Sequence, residues 1–156
     1  MSLITLETEF PVALDSPDHI APAGTIVDNR TEHNYVAEVK KYFGDSLKIL
    51  DMGCAGGQMI TDFVDEGYTA VGLEGSTHVL NGAGSHNWKK YHNKNLFNVD
   101  LSKPFQLLDD GEPLKFSYIH SWDVIEHIHP DDLGIWFDNV KNHLTDDGVF
   151  CSCHSS

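Results

Sequence analysis

The residues best suited to chemistry are three acids, each at the end of an apolar run. Asp51 closes Leu47-Lys-Ile-Leu-Asp and leads into Met52-Gly53-Cys54-Ala55-Gly56-Gly57. Glu74 ends the run that follows Gly67, and Asp100 follows a third run in Asn98-Val-Asp100-Leu101. A carboxylate at the first tip reaches the turn's amides or an ammonium group on a ligand. One at the second accepts hydrogen bonds from both hydroxyls of a ribose, and one at the third accepts from an exocyclic amine such as that of adenine. Gly53, Ala55, Gly56 and Gly57 keep side chains away, so a ligand can approach the backbone closely. Each acid alone is an ordinary loop or cap residue. Together, at the ends of neighbouring strands, they outline a nucleotide-type pocket. A second group, Asp123, Glu126, His127 and His129, lies between a predicted strand and helix, where a substrate would sit. Histidine titrates near neutrality and suits removal of a proton from an acceptor. His127 is the first choice, with Glu126 and His129 next, against the plain reading of these residues as caps that shape the loop.

The elements that position these groups alternate. Helical spacing of Tyr35, Val36, Val39, Tyr42 and Phe43, stopped by Gly44, predicts a helix over 31–43. A buried strand follows over 47–52, then a helix from about Gly57 with Met59, Ile60, Phe63 and Val64 on one face, and a second strand over 70–73. Residues 76–92 are the least regular: a short helix from Ser76 and loop chemistry from Asn81 to Asn87. Further strands are predicted over 95–99, 116–122 and 148–153. A helix over 131–143 is expected to bury Leu133, Trp136, Phe137, Val140 and Leu144, with Pro130 and two aspartates at its start. Strands and helices at this pace imply right-handed βαβ units, a mostly parallel sheet and helices on both faces. Residues 1–30, with three prolines and no sustained period, read as an arm or lid, and 31–156 as a single domain.

Composition narrows the function. The chain has 156 residues, 40 % hydrophobic, and a formal charge of −14 from 24 acids against 10 lysines and arginines. That surface repels phosphate backbones, so nucleic acid and anionic membranes are disfavoured as partners. No apolar run approaches the roughly 20 residues that span a bilayer, and the N-terminus lacks a secretory pattern. Cys54, Cys151 and Cys153 cannot form a disulfide framework and lie in predicted core elements, which fits a reducing, cytoplasmic setting. A dinucleotide fingerprint fails on spacing, because Ala55 and Gln58 stand where its second and third glycines belong. Without a phosphate to seat, Asp51 carries no repulsion penalty.

Asp51-x-Gly53-x-Ala55-x-Gly57 resembles the first signature of the class I S-adenosylmethionine-dependent methyltransferases. Glu74 matches their ribose-binding acid, Asp100 the acid beside adenine, and Asp123-Val-Ile-Glu126-His127 a fourth-strand motif of many small-molecule O-methyltransferases. The resemblance covers about residues 31–156. It implies a Rossmann-like, doubly wound α/β sheet of strand order 3-2-1-4-5 and S-adenosylmethionine as cofactor. It further implies that Asp51, Gly53, Cys54, Ala55 and Gly57 with the strand-four tip, His120 to Trp122 (Ser121 and Trp122 above all), hold the methionine portion. Glu74 and Gly75 would then take the ribose, and Asp100 and Leu101 the adenine. The acceptor would be a small molecule, methylated at oxygen, or at carbon or nitrogen of a class without the N-P-P-Y type of tetrapeptide.

No metal is expected. Asp123, Glu126 and His127 resemble part of the metal pattern of small-RNA 2′-O-methyltransferases but lack its later histidine, and His154 beside Cys151 and Cys153 lacks a fourth zinc ligand. The family usually continues past strand five with a helix and a β-hairpin that this sequence does not contain. The expectation is a domain truncated there, self-associating through the strand-five edge. The alternative from another class is a non-catalytic, methyltransferase-like binding module.

Overall fold

The computed structural model describes residues 2–13 and 27–153. Its centre is a five-stranded, all-parallel sheet of β2 (Lys48–Met52), β3 (Thr69–Glu74), β4 (Leu96–Asn98), β7 (Phe116–Trp122) and β8 (Leu144–Cys153), ordered β4-β3-β2-β7-β8. That is the expected order 3-2-1-4-5. Strands β2 and β3 run in register from Lys48↔Thr69 to Met52↔Leu73, so Asp51 and Glu74 finish at the same edge. The apolar runs are continuous because both faces are covered.

One face carries α1 (His33–Phe43), α2 (Gln58–Asp65) and α3 (Ser85–Tyr91), whose Val36, Val39, Met59, Ile60, Phe63 and Trp88 pack on Ile49, Ala70, Leu96 and Tyr118. The other carries α4 (Leu133–His143), with Trp136 and Val140 against Leu50, Val71 and Ile119. The α4 stripe differs from the apolar one expected. Phe137 is 47 % exposed, while Asn139 and His143 are buried. These two polar side chains clamp a second small sheet. The Asn139 amide donates to the Lys103 carbonyl at 2.9 Å, and His143 Nε2 accepts from the Leu107 N–H at 3.0 Å while its Nδ1 meets the Asn139 carbonyl at 2.7 Å. Burial lowers the His143 pKa, which keeps the ring neutral and Nε2 an acceptor.

The small antiparallel sheet is β1 (Ile4–Thr8), β5 (Phe105–Asp109) and β6 (Glu112–Pro113), ordered β1-β5-β6. It was not anticipated: residues 1–30 read as an arm, and no element was expected between Asp100 and Phe116. Asp110 and Gly111, both at positive φ, make the tight β5–β6 turn. Strand β1 pairs with β5 from Ile4↔Asp109 to Thr8↔Phe105. Beyond β1 the segment docks on the main sheet: the Asp100 N–H donates to the Phe10 carbonyl and the Ala13 N–H to the Gly75 carbonyl. The remainder of the expected arm, 14–26, lies outside the described residues, as does His154.

Strand β8 begins at Leu144, directly from α4, rather than at Gly148. It is an edge strand, and Cys151 and Cys153 are exposed on it rather than in the core; only Cys54 is buried.

Candidate functional site

Asp51, Glu74 and Asp100 end three adjacent strands or the loops just beyond, and each is less than a tenth exposed. No lysine or arginine pairs with any of them among the described residues. Buried carboxylates without a base are unfavourable unless something else donates to them. For Glu74 the donors are backbone: Oε2 accepts from the Ala55 N–H at 3.0 Å and Oε1 from the Ser76 N–H at 3.2 Å. Burial nonetheless pushes its pKa up to about 7; those N–H groups pull the other way, and the Asp51 charge nearby adds to the rise. Asp100 Oδ1 accepts from both the N–H (3.0 Å) and Oγ (2.7 Å) of Ser102, which fixes the loop after β4.

The turn between β2 and α2 is held from every side. The Gly53 and Cys54 N–H groups donate to the Leu73 carbonyl at 2.8 and 2.9 Å. Gly53 sits at φ +105°, and a Cβ there would lie 2.2 Å from Val124 Cγ2, so glycine is required by both backbone and neighbour. Trp88 Nε1 donates to the Ala55 carbonyl at 3.0 Å. Asn87 Nδ2 reaches the Gly56 carbonyl (3.1 Å) and Asn29 Oδ1 (3.1 Å), and Asn29 Oδ1 also accepts from the Gln58 N–H. Asn29 therefore caps α2 from outside, since Gly57 has no side chain to do so. None of Asn29, Asn87 and Trp88 stood out in the sequence. The one cue was Asn87-Trp88 in a stretch otherwise rich in loop residues.

The other anticipated cofactor residues divide. Gly57 ends the turn at φ +79°. Cys54 is buried; burial first, then the charges of Asp51 and Glu74, raise its thiol pKa well above the ordinary value, so it stays protonated and unreactive. Leu101 points into the core and Ser121 Oγ donates to the Met52 carbonyl at 2.8 Å, which leaves each mainly backbone to offer a ligand. Gly75 presents its carbonyl to Ala13. Trp122 packs against Tyr35 and His120, with ring centroids 4.7 and 5.0 Å away.

His127 and Glu126 form a single 3-10 turn, Ile125–His127, and are exposed. The Asp123 N–H donates to the Cys153 carbonyl, which ties this loop to the end of β8. His129 Nδ1 accepts from the Asp131 N–H at 3.1 Å, so it caps the turn that leads into α4. Among the described residues no three metal-ligating side chains converge, and no helix is long and apolar enough to cross a membrane.

The donor set suits an adenosyl sulfonium compound. Its ammonium and ribose hydroxyls are donors, which is what buried carboxylates without a lysine or arginine partner need, and it carries no phosphate for them to repel. The comparisons agree. A family model described as a methyltransferase domain matches residues 27–155. Among solved structures, the PH0226 protein of Pyrococcus horikoshii OT3 is similar at 25 % identity and TM-score 0.58, over 84 % of this chain and 62 % of that one. The glycopeptide N-methyltransferase MtfA complexed with sinefungin is similar at 20 % identity and TM-score 0.57, over 81 % and 55 %. An S-adenosylmethionine-dependent methyltransferase of Clostridium acetobutylicum ATCC 824 gives 20 % and 0.56, over 86 % and 53 %. The chain thus spans less than two thirds of the length of these structures. No curated protein matches its sequence. With the strand order, the glycine turn and the family match in agreement, the chain belongs to the methyltransferase-domain family of class I, S-adenosylmethionine-dependent fold.

Proposed function

We propose that the protein binds S-adenosylmethionine across the tips of β2, β3 and β4 and transfers its methyl group to a small-molecule acceptor, at oxygen or else at carbon or nitrogen. The observation that carries this reading is the pair Asp51 and Glu74. They are buried near one another around a side-chain-bare turn, with no lysine or arginine paired to either among the described residues. Asp51 takes the ammonium, with backbone of Gly53, Cys54, Ala55 and Gly57 and of Ser121 and Trp122 alongside. Glu74, already oriented by Ala55 and Ser76, accepts from the ribose, with Gly75 beside it. Asp100 and Leu101 border the adenine.

When bound, the sulfonium supplies a carbon activated for in-line displacement. The protein's part is to position the nucleophile, exclude water and take up a proton. His127 is the base in this reading, with Glu126 and His129 as the next candidates; His129 also caps the turn into α4. Exposure of all three is also what a non-catalytic binding module would show, so the two readings divide at turnover. The acidic surface argues against a nucleic-acid acceptor, and a reducing, cytoplasmic setting with self-association along the β8 edge completes the proposal.

Calorimetry with S-adenosylhomocysteine, followed by cofactor consumption against a panel of small hydroxyl, carbon and amine acceptors, tests this. Binding with turnover is expected. Binding without turnover for any acceptor leaves the module, and no binding overturns the reading.

A further inference from the structure

Behind Asp51 lies a chain of buried and half-buried side chains that the proposed cofactor contacts do not use. His120, on β7, is 0 % exposed and stands beside Asp51 in the β2–β7 register. Its Nε2 is 3.0 Å from Asp51 Oδ1, off the line of a hydrogen bond, and has no other partner among the described residues. Its Nδ1 is 2.8 Å from the Tyr35 hydroxyl, which in turn meets the Tyr118 hydroxyl. Trp122 closes one side, and Cys151 of β8 pairs with His120 across the other.

The charges fix the direction of the protons. An imidazole lone pair turned on a carboxylate is repelled, so Nε2 must carry hydrogen in the neutral ring, and Nδ1 must accept. Tyr35 therefore donates to Nδ1, and Tyr118 donates to Tyr35. Both phenols stay protonated: burial, then the contact with Tyr118, raises the Tyr35 pKa, and burial pushes Tyr118 up to about 12. The result is a one-way relay, Tyr118 to Tyr35 to His120, ending in an N–H beside Asp51.

The geometry points to His120 as a positioning residue that acts through Asp51 on the amino-acid end of the cofactor, with Tyr35 locking its tautomer. This rests on the proposed cofactor site. The His120 N–H, 3.0 Å from Asp51 Oδ1, draws that oxygen towards itself through charge and dipole and leaves the other oxygen for the ligand's ammonium. His120 is too deeply buried to touch the ligand itself.

The test compares two ligands by calorimetry: S-adenosylhomocysteine, and 5′-methylthioadenosine, which keeps the adenosine but lacks the amino-acid group. His120→Ala should weaken S-adenosylhomocysteine about tenfold, the scale of losing one buried dipole-to-charge contact, and leave 5′-methylthioadenosine within about twofold. His120→Gln, which retains a donor, should recover part of the loss. Tyr35→Phe keeps the ring and removes the hydroxyl, and should weaken S-adenosylhomocysteine alone, by a smaller factor. Equal losses for both ligands would make the imidazole a packing element only and overturn the proposal, as would no loss for either. If His120→Ala fails to fold, as judged by circular dichroism, the Tyr35→Phe pair of affinities decides on the same criteria. Should the unsubstituted protein bind neither ligand, the cofactor site itself is wrong, a result distinct from the others.

Discussion

The two halves of the mouth of the sheet are built differently. At the tips of β2, β3 and β4 the polar groups are buried and held by partners from several elements: Glu74 by two backbone N–H groups, the turn by Trp88 and Asn87, and α2 by Asn29. Across from them, residues 123–132 carry exposed Glu126, His127 and His129 on short 3-10 turns. The first half is organised before any ligand arrives, so it loses little entropy on binding. In the second, the backbone and the His129 cap fix the loop, and Glu126, His127 and His129 stand at the surface. A site that must hold one invariant cofactor favours the former, and a site that must fit an acceptor tolerates the latter.

If the halves are independent, breaking the second should spare the first. His127→Ala is expected to lower turnover by about 10²- to 10⁴-fold with the affinity for S-adenosylhomocysteine unchanged; steady-state rates beside calorimetry decide, and equal loss in both would dissolve the distinction. Gly53→Ala attacks the organised half. Its Cβ has no room beside Val124 and φ +105° strains any side chain, so urea unfolding should register a loss of about 2–3 kcal/mol, with cofactor affinity falling too.

Glu74 sharpens the comparison through pH. Its folded pKa of about 7 lies above the ordinary 4.5, so ionising it opposes folding. Its contribution to stability is complete below pH 4.5 and is lost as pH rises through 7, a swing of about 3 kcal/mol at most. Glu74→Gln should remove that slope in unfolding experiments at pH 5 and 8. The same substitution should weaken S-adenosylhomocysteine about tenfold at pH 8, where the wild-type carboxylate is ionised and accepts from the ribose. The smallest effect expected is for Trp88→Phe, which leaves the Ala55 carbonyl only the weak Cys54 thiol as donor: about 1 kcal/mol of stability and a few-fold in affinity, read by thermal melts and calorimetry.

Much of the organised half was legible. Continuous apolar runs ending in Asp51 and Glu74, with a glycine turn between, encode buried parallel strands and a tight crossover within a few residues. The small sheet was harder. The Asp110-Gly111 turn is a local hairpin signal, but β1 finds its partner β5 about a hundred residues away, which no window of the sequence contains. Phe137 and His143 exchanged the roles their types suggest. A polar side chain on α4 is buried when it can clamp the small sheet, and that sheet's presence had to be known first. Cys151 and Cys153 sit in a strand as expected, yet β8 is at the edge, where one face lacks a cover among the described residues.

By itself the sequence determined the alternation of the main-sheet strands with their helices and the acids at the strand tips, because hydrophobic period and glycine placement act over a few neighbouring residues; the strand order 3-2-1-4-5 followed only from the resemblance to a family. Only the tertiary structure decided that His120 faces Asp51 and draws its tautomer from Tyr35, that Asn29 caps a helix it does not belong to, and that Trp88 holds the turn. Each of those is a contact between groups far apart in the chain, and its energy exists only once the packing of the sheet and helices has brought them together.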